Sequence, residues 1–316
     1  MKKLNKSILG KYTNTFILFI VFIIASIVHP AFLKINNIIN ILQYISVTGV
    51  MALGLTLVLI AGEIDISVAS ISIFAAVFGG LFIKYNSSLL VIFITLIIGA
   101  FLGLINGFII KYLSIPSFIM TLAMFIIARA GAIGLSGGMI QFPKKLPGYI
   151  WVGQGRLLGV PALVIVFLVL SLITFLFLRY SINGKTLYLV GSNAKAAWLS
   201  GIKVGQRKIM VFMFSGIFSS VAGIMGCAQI GQIDPQQSMQ GYELIAISIA
   251  ILGGASLRGG EGKIEGTIQA AFIIGILTNI MNLFAISTYA QKIVIGLVLI
   301  SVVLFDTTLR QKSGKY

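Results

Sequence analysis

The chain has 316 residues, of which 58% are hydrophobic and only 9% charged, against about 25% charged in soluble domains. A mean hydropathy of +1.07 excludes a pair of soluble domains, a disordered chain and a fibrous one. The net charge of +16 is spread between apolar runs, as in loops that obey the positive-inside rule, and forms no single basic stripe of the kind that binds nucleic acid.

Ten apolar runs come close to the roughly 20 residues that cross a bilayer. They lie at roughly 14–31, 38–61, 66–83, 88–110, 116–136, 160–178, 209–230, 242–255, 266–285 and 289–306. The expected fold is an all-α polytopic membrane protein with about ten transmembrane helices, a single transmembrane domain over residues 1–316 embedded in a lipid bilayer. The first run follows Lys2, Lys3, Lys6 and Lys11, and no small-x-small cleavage site comes after it, so it reads as a span and not as a removed signal. His29 and Pro30 close it, which suits an interfacial or capping role. The third and eighth runs are polar or Gly-rich at one end and read as broken helices.

Acidic residues are few enough to weigh singly. Glu63 and Asp65 open the third run in Gly62-Glu63-Ile64-Asp65-Ile66-Ser67, and Glu243 opens the eighth after Tyr242. A carboxylate at a helix N-terminus is stabilised by the free N–H groups and the dipole, so a capping role and a place on a translocation path both stand for Asp65. Polar residues inside the runs are Asn106, Thr121, Arg129, Gln229, Asn279 and Asn282. An ionisable group such as Arg129 at membrane depth marks function; amides also serve as glue between helices.

Two loops are long. Residues 137–159 carry Lys144, Lys145, Pro147, Trp151 and Arg156. Within 179–208, the stretch Asn193–Ile202 reads as a short helix, with Asn193 as its cap, alanines at 194, 196 and 197, and Gly201 as its end. It is too short and polar to span, and suits either docking to a partner or anchoring Trp198 at the headgroups.

Orientation follows from Lys and Arg. The loops containing the N-terminal lysines, Lys111, residues 179–208, Arg258, Lys263 and the C-terminal Arg310, Lys312 and Lys315 hold most of the basic residues. The opposite loops hold Lys34, Lys84, Lys144, Lys145, Arg156 and Lys292. Both termini are therefore expected in the cytoplasm. Gly62-Glu63-Ile64-Asp65 is echoed by Gly231-Gln232-Ile233-Asp234 on the other side, which suggests an inverted repeat of helices 2–5 and 7–10.

Enzyme chemistry is missing from the pattern. His29 is the only His and Cys227 the only Cys, so neither a metal cluster nor an intrachain disulfide is expected. Asn183-Gly184-Lys185-Thr186 imitates the tail of a phosphate-binding loop, but the required upstream Gly is Arg179.

Several stretches together resemble the membrane permease subunit of ATP-binding-cassette sugar importers of the ribose/xylose/galactoside type. They are Gly62–Ser70, Leu157–Pro161, Val190–Asn193 leading to Leu199–Ile202, Gly241–Leu244, and Leu252–Lys263 continuing to Gly266-Thr267. The resemblance implies a bacterial plasma-membrane permease for a ribose-like monosaccharide, working as a homodimer or related heterodimer. It implies an ATPase subunit that binds the ATP, no cofactor on this chain, an extracytoplasmic sugar-binding protein as partner, and no nucleic acid. The segment with Asn193, Ala196, Ala197, Ser200, Gly201 and Ile202 becomes the helix that couples to the ATPase. The pattern departs at Ala194 and Lys195, where the family usually has an acidic residue after the Asn. A neutral, hydroxyl-rich cargo suits a path lined by amides and hydroxyls, so Asn106, Thr121, Asn279 and Asn282, with Asp65 and Ser67, are expected along it. The same family type is similar to carriers of autoinducer-2 and nucleosides, and outside that family an ion-coupled secondary transporter is an alternative reading.

Overall fold

The computed structural model describes residues 2–141 and 146–312; Lys144 and Lys145 lie outside them. The helices in chain order are α1 (Lys2–Val28), α2 (Ile35–Ile60), α3 (Val68–Gly80), α4 (Ser88–Leu113), α5 (Ser117–Ser136), α6 (Pro147–Gln154), α7 (Ala162–Tyr180), α8 (Ile182–Ser192), α9 (Ala194–Leu199), α10 (Val204–Ile230), α11 (Tyr242–Leu252), α12 (Ile264–Leu283) and α13 (Thr288–Lys312). Among the described residues six helices, α2, α4, α5, α7, α10 and α12, are long and apolar enough to cross a membrane, and four shorter apolar stretches lie within α1, α3, α11 and α13. The chain is a polytopic all-α membrane protein.

Burial sorts these helices. Every residue of α2 from Ile45 to Ile60 is buried, as expected of a helix that is apolar all round and sits at the centre of a bundle. On α4 the buried residues recur at Thr95, Gly99, Gly103, Asn106 and Gly107, while Phe93, Ile97, Phe101 and Phe108 are exposed. The exposed face suits acyl chains. The glycine face lies against α10: a Cβ on Gly103 would overlap the Phe212 carbonyl, and one on Gly107 would overlap the Ile209 backbone. Lipid gives helices no hydrophobic reason to associate, so such close backbone approach supplies the van der Waals contact that holds them together.

The chain twice follows a long helix with a reversal and a short one. After α2, Gly62 takes φ +77° and residues 61–67 run without helix into α3 of 13 residues; after α10, Gly231 takes φ +78° and α11 has 11 residues. Both conformations lie in the left-handed region that Gly enters without a Cβ penalty. At about 1.5 Å per residue neither short helix reaches across a hydrocarbon core of about 30 Å. These are the two runs read from sequence as broken helices.

Short β elements tie loops at one end of the bundle. β1 (Ile140–Gln141) pairs antiparallel with β4 (Gln232–Ile233), and β2 (Arg156–Leu157) with β3 (Val160–Pro161). The helices α6 and α8 were not anticipated from the sequence. Ser181 caps α8, its hydroxyl accepting from the Gly184 N–H at 2.8 Å, so the phosphate-loop imitation at 183–186 is the first turn of an ordinary helix.

Candidate functional site

Non-helical backbone at membrane depth survives only where protein groups satisfy it, and most N–H groups of the stretch 61–67 find such partners. The N–H groups of Gly62 and Glu63 donate to Leu59 and Val58 carbonyls. Ile64 N–H donates to the Ser117 hydroxyl at 3.1 Å and Ile66 N–H to the Thr121 hydroxyl at 3.2 Å, both from α5. Asp65 accepts from the Ser67 N–H at 2.9 Å and from two hydroxyls, Ser67 at 2.5 Å and Ser215 of α10 at 2.7 Å. Asn106 of α4 donates to the Ser67 hydroxyl at 3.0 Å. Asp65, Ser67, Asn106 and Thr121 are thus brought together, all fully buried inside the subunit. The N-cap position of α3 is Ser67, with no side-chain cap bond of its own, and Asp65 holds that residue from two positions ahead. The sequence reading missed Ser215, whose signal was its place among the small residues Ser215, Gly216, Ser219 and Ser220 on one helix.

The other chosen residues lie elsewhere. Asn279 forms a reciprocal amide pair with Asn37 of α2, at 2.8 and 3.0 Å. Asn282 accepts from Gln291 of α13 at 2.8 Å. Both arrangements join neighbouring helices. Arg129 of α5 donates from Nη1 to the carbonyls of Pro235 and Ser238, each at 3.0 Å, and so holds the loop ahead of α11. Glu63 pairs with Lys208 at the start of α10.

Residues Asn193–Ile202 fold as expected from the sequence. The Asn193 side chain accepts from the Ala196 N–H at 2.9 Å, α9 follows, and Gly201 at φ +82° ends it while the Ile202 N–H returns to the Ala197 carbonyl at 3.0 Å. Ala197 is buried, whereas Trp198 and Leu199 are 66% and 71% exposed. At the root of α9, α8 packs backbone to backbone on two loops. A Cβ on Gly191 would overlap the Ile60 carbonyl and the Gly260 nitrogen, and one on Gly259 would overlap Gly62 and Gly191. Gly260 N–H donates to the Ile60 carbonyl at 2.9 Å and the Tyr188 hydroxyl to the Gly262 carbonyl at 3.0 Å. One seam therefore joins the α8–α9 segment, the loop into α3 and the loop out of α11.

At the end of the bundle where β1 meets β4, a cavity of about 240 Å³ opens between α2, β4, α10 and α11. Of its lining, sequence reading singled out only Gln229 as a polar residue within a span. Asn40, Gln43 and Tyr44 had a signal of their own, amides and a phenol inside an otherwise apolar run, and Gln232 was noted solely as part of a repeat.

Comparison with known proteins places this architecture. Residues 37–303 match the family model described as branched-chain amino acid transport system / permease component. The chain is 36% identical over 310 residues to the ribose import permease protein RbsC of Escherichia coli strain K12, covering 96% of this chain and 95% of that protein. It is 37% identical over 299 residues to RbsC of Bacillus subtilis strain 168, covering 94% and 92%, and 35% identical over 295 residues to the L-arabinose transport system permease protein AraH of Escherichia coli strain K12, covering 91% and 87%. A solved inward-facing structure described as an ABC transporter of metal-chelate type shares the fold, with a TM-score of 0.53 at 18% identity, over 92% of this chain and 99% of that one. The chain belongs to the permease-component family of transport systems that the model describes, and is a transport component, not an enzyme.

Proposed function

We propose that this chain is the membrane permease subunit of an ATP-binding-cassette importer, carrying a monosaccharide of the ribose or arabinose kind named in its relatives. The observation that carries the mechanical part of this reading is the seam at the root of α9. The end of α8, which runs through the Asn193 cap straight into the exposed α9, rests directly on the loops of both short helices, α3 and α11, so a push on α9 is passed through α8 to the elements best placed to open or close a path.

In this reading the ATPase binds the nucleotide and grips the surface formed by Asn193, Ala196, Ala197, Ser200, Gly201 and Ile202. Shape and the exposed Trp198 and Leu199 give the contact its strength, since Ala194 and Lys195 offer no carboxylate. α1 and α13 span with the six long helices, and the short α3 and α11 each complete a crossing together with the non-helical residues beside them, giving ten spans and cytoplasmic termini. The α2–α5 and α10–α13 segments, each long helix, reversal, short helix, two further helices, form the inverted repeat. Asp65, Ser67, Asn106 and Thr121 act on transport by fixing the mouth of α3, and Asn279 and Asn282 by joining α12 to α2 and α13. A second permease copy and an extracytoplasmic binding protein complete the machine.

The test is reconstitution with a cognate ATPase and binding protein in proteoliposomes, followed by uptake of labelled D-ribose, L-arabinose and a hexose panel. ATP-dependent accumulation of a monosaccharide supports the reading. Uptake driven by an ion gradient without the ATPase overturns it.

A further inference from the structure

We propose that the cavity between α2, β4, α10 and α11 is a sugar-holding subsite within the single subunit, reached before the cargo passes α3. This inference rests on the monosaccharide reading above and names the residues that would touch the cargo.

The cavity's chemistry selects the ligand class. Its polar lining comes from Asn40, Gln43, Gln229 and Gln232 with the hydroxyls of Tyr44, Tyr242 and Ser238, and among the described residues no charged side chain lines it. An ion placed there would lose its hydration without gaining a counter-charge, which is costly. A neutral ligand with many hydroxyls meets both donors and acceptors, because each amide offers an oxygen and an NH₂. Size agrees with chemistry. About 240 Å³ lies just below the range of about 300–1,000 Å³ of pockets for drug-sized ligands, as suits a smaller guest. The Tyr44 and Tyr242 rings meet edge to face with centroids 6.3 Å apart and supply the apolar wall that C–H faces of a sugar pack against.

The hydrogen bonding inside the cavity is ready to be exchanged. Gln229 donates to Gln43 across it at 3.4 Å, longer than the usual 2.7–3.2 Å of an N–H···O bond. A hydroxyl inserted between the two amides replaces one stretched bond with two of ordinary length. The floor connects to the moving parts. Met239 closes it, held at φ +54°, and its sulfur accepts from the Ser72 hydroxyl of α3 at 3.1 Å. A flexible thioether at that place lets a shift of α3 open the way below.

The experiment uses the full complex of permease, ATPase and binding protein in proteoliposomes with labelled D-ribose. Leucine is close in shape to glutamine but makes no hydrogen bond, so Gln43→Leu and Gln229→Leu are expected to lower the maximal uptake rate per assembled complex about tenfold, the equivalent of one to two lost hydrogen bonds. Gln43→Asn, which keeps an amide, should stay within about threefold of the parent. In a second measurement Asn40→Cys, at the exposed rim, is labelled with a membrane-impermeant thiol reagent. Bound sugar should slow the labelling, and the label should block uptake. Leucine variants that transport at the parental rate overturn the subsite. So do an asparagine variant as impaired as the leucine one, or labelling that sugar does not slow. A parent complex that accumulates no monosaccharide overturns the sugar reading itself, a result distinct from the failures of the subsite.

Discussion

The Ser215 hydroxyl of α10 donates at 2.7 Å to the Asp65 carboxylate, 150 residues away in the chain. That bond fixes the reversal before α3 to α10, the helix that packs against both α2 and α4. Hydrogen bonds to charged groups contribute about 1.5–3 kcal/mol, so Ser215→Ala should destabilise the detergent-solubilised subunit by about 2 kcal/mol. Asp65→Ala should cost more, because it leaves a buried N–H and two hydroxyls without their acceptor. Thermal denaturation followed by tryptophan fluorescence checks the order. Equal stability of Ser215→Ala and the parent would show that the bond contributes nothing.

Close approach of α4 and α10 makes a second expectation. A Cβ on Gly103 has no room beside the Phe212 carbonyl, and backbone cannot swing aside as a side chain can. Gly103→Ala should cost about 1–3 kcal/mol, the usual penalty of overpacking. Gly103→Leu should abolish a monodisperse peak on size-exclusion chromatography. The neighbouring lipid-facing change Phe101→Leu, at a position 56% exposed, should leave that peak unaltered.

Sidedness gives a third. With the termini inside, a cysteine at Lys195 in α9 and one at Arg156 in β2 lie on opposite faces of the membrane. An impermeant reagent applied to intact cells should label Arg156→Cys and spare Lys195→Cys until the membrane is opened. Native Cys227 is 2% exposed and should give a low background. Labelling of both from outside would refute the orientation.

Much of this architecture is legible in the sequence because a bilayer imposes length and polarity on each element. The reversal at Gly62 and the capped α9 could be read from local rules, since Gly at a left-handed turn and Asn at a helix start act within a few residues. Partners remote in sequence could not. Ser215 for Asp65, Lys208 for Glu63 and Asn37 for Asn279 depend on which helix faces which, and an apolar chain carries little pattern to tell a lipid-facing side from a buried one. The amide-lined cavity was hidden for the same reason. Asn40 and Gln43 sit on one helix and Gln229 on another, and only packing brings them together. The helix α8 escaped notice because Gly184 and Asn183 look like loop residues, while in the structure Gly184 lets the first turn lie on the Phe177 backbone.

The last expectation concerns α9. Gly201 holds φ +82° and has nothing within 4 Å of where a Cβ would stand, so within the isolated subunit a larger side chain meets only backbone strain. That strain is about 1 kcal/mol, too little to unfold a bundle of this size. Gly201→Leu should therefore insert and purify normally by itself, and any larger loss must come from the surface that α9 presents to a partner. If that surface receives the ATPase, Gly201→Leu weakens co-purification with the ATPase and lowers sugar-stimulated ATP hydrolysis at least tenfold. Trp198→Ala separates the alternatives. Trp198 is 66% exposed. Were α9 only an anchor at the headgroups, losing the indole would loosen the segment, while Gly201→Leu would couple as the parent does. Normal co-purification and full sugar-stimulated hydrolysis by Gly201→Leu, with damage from Trp198→Ala limited to membrane stability, would assign α9 to the lipid interface.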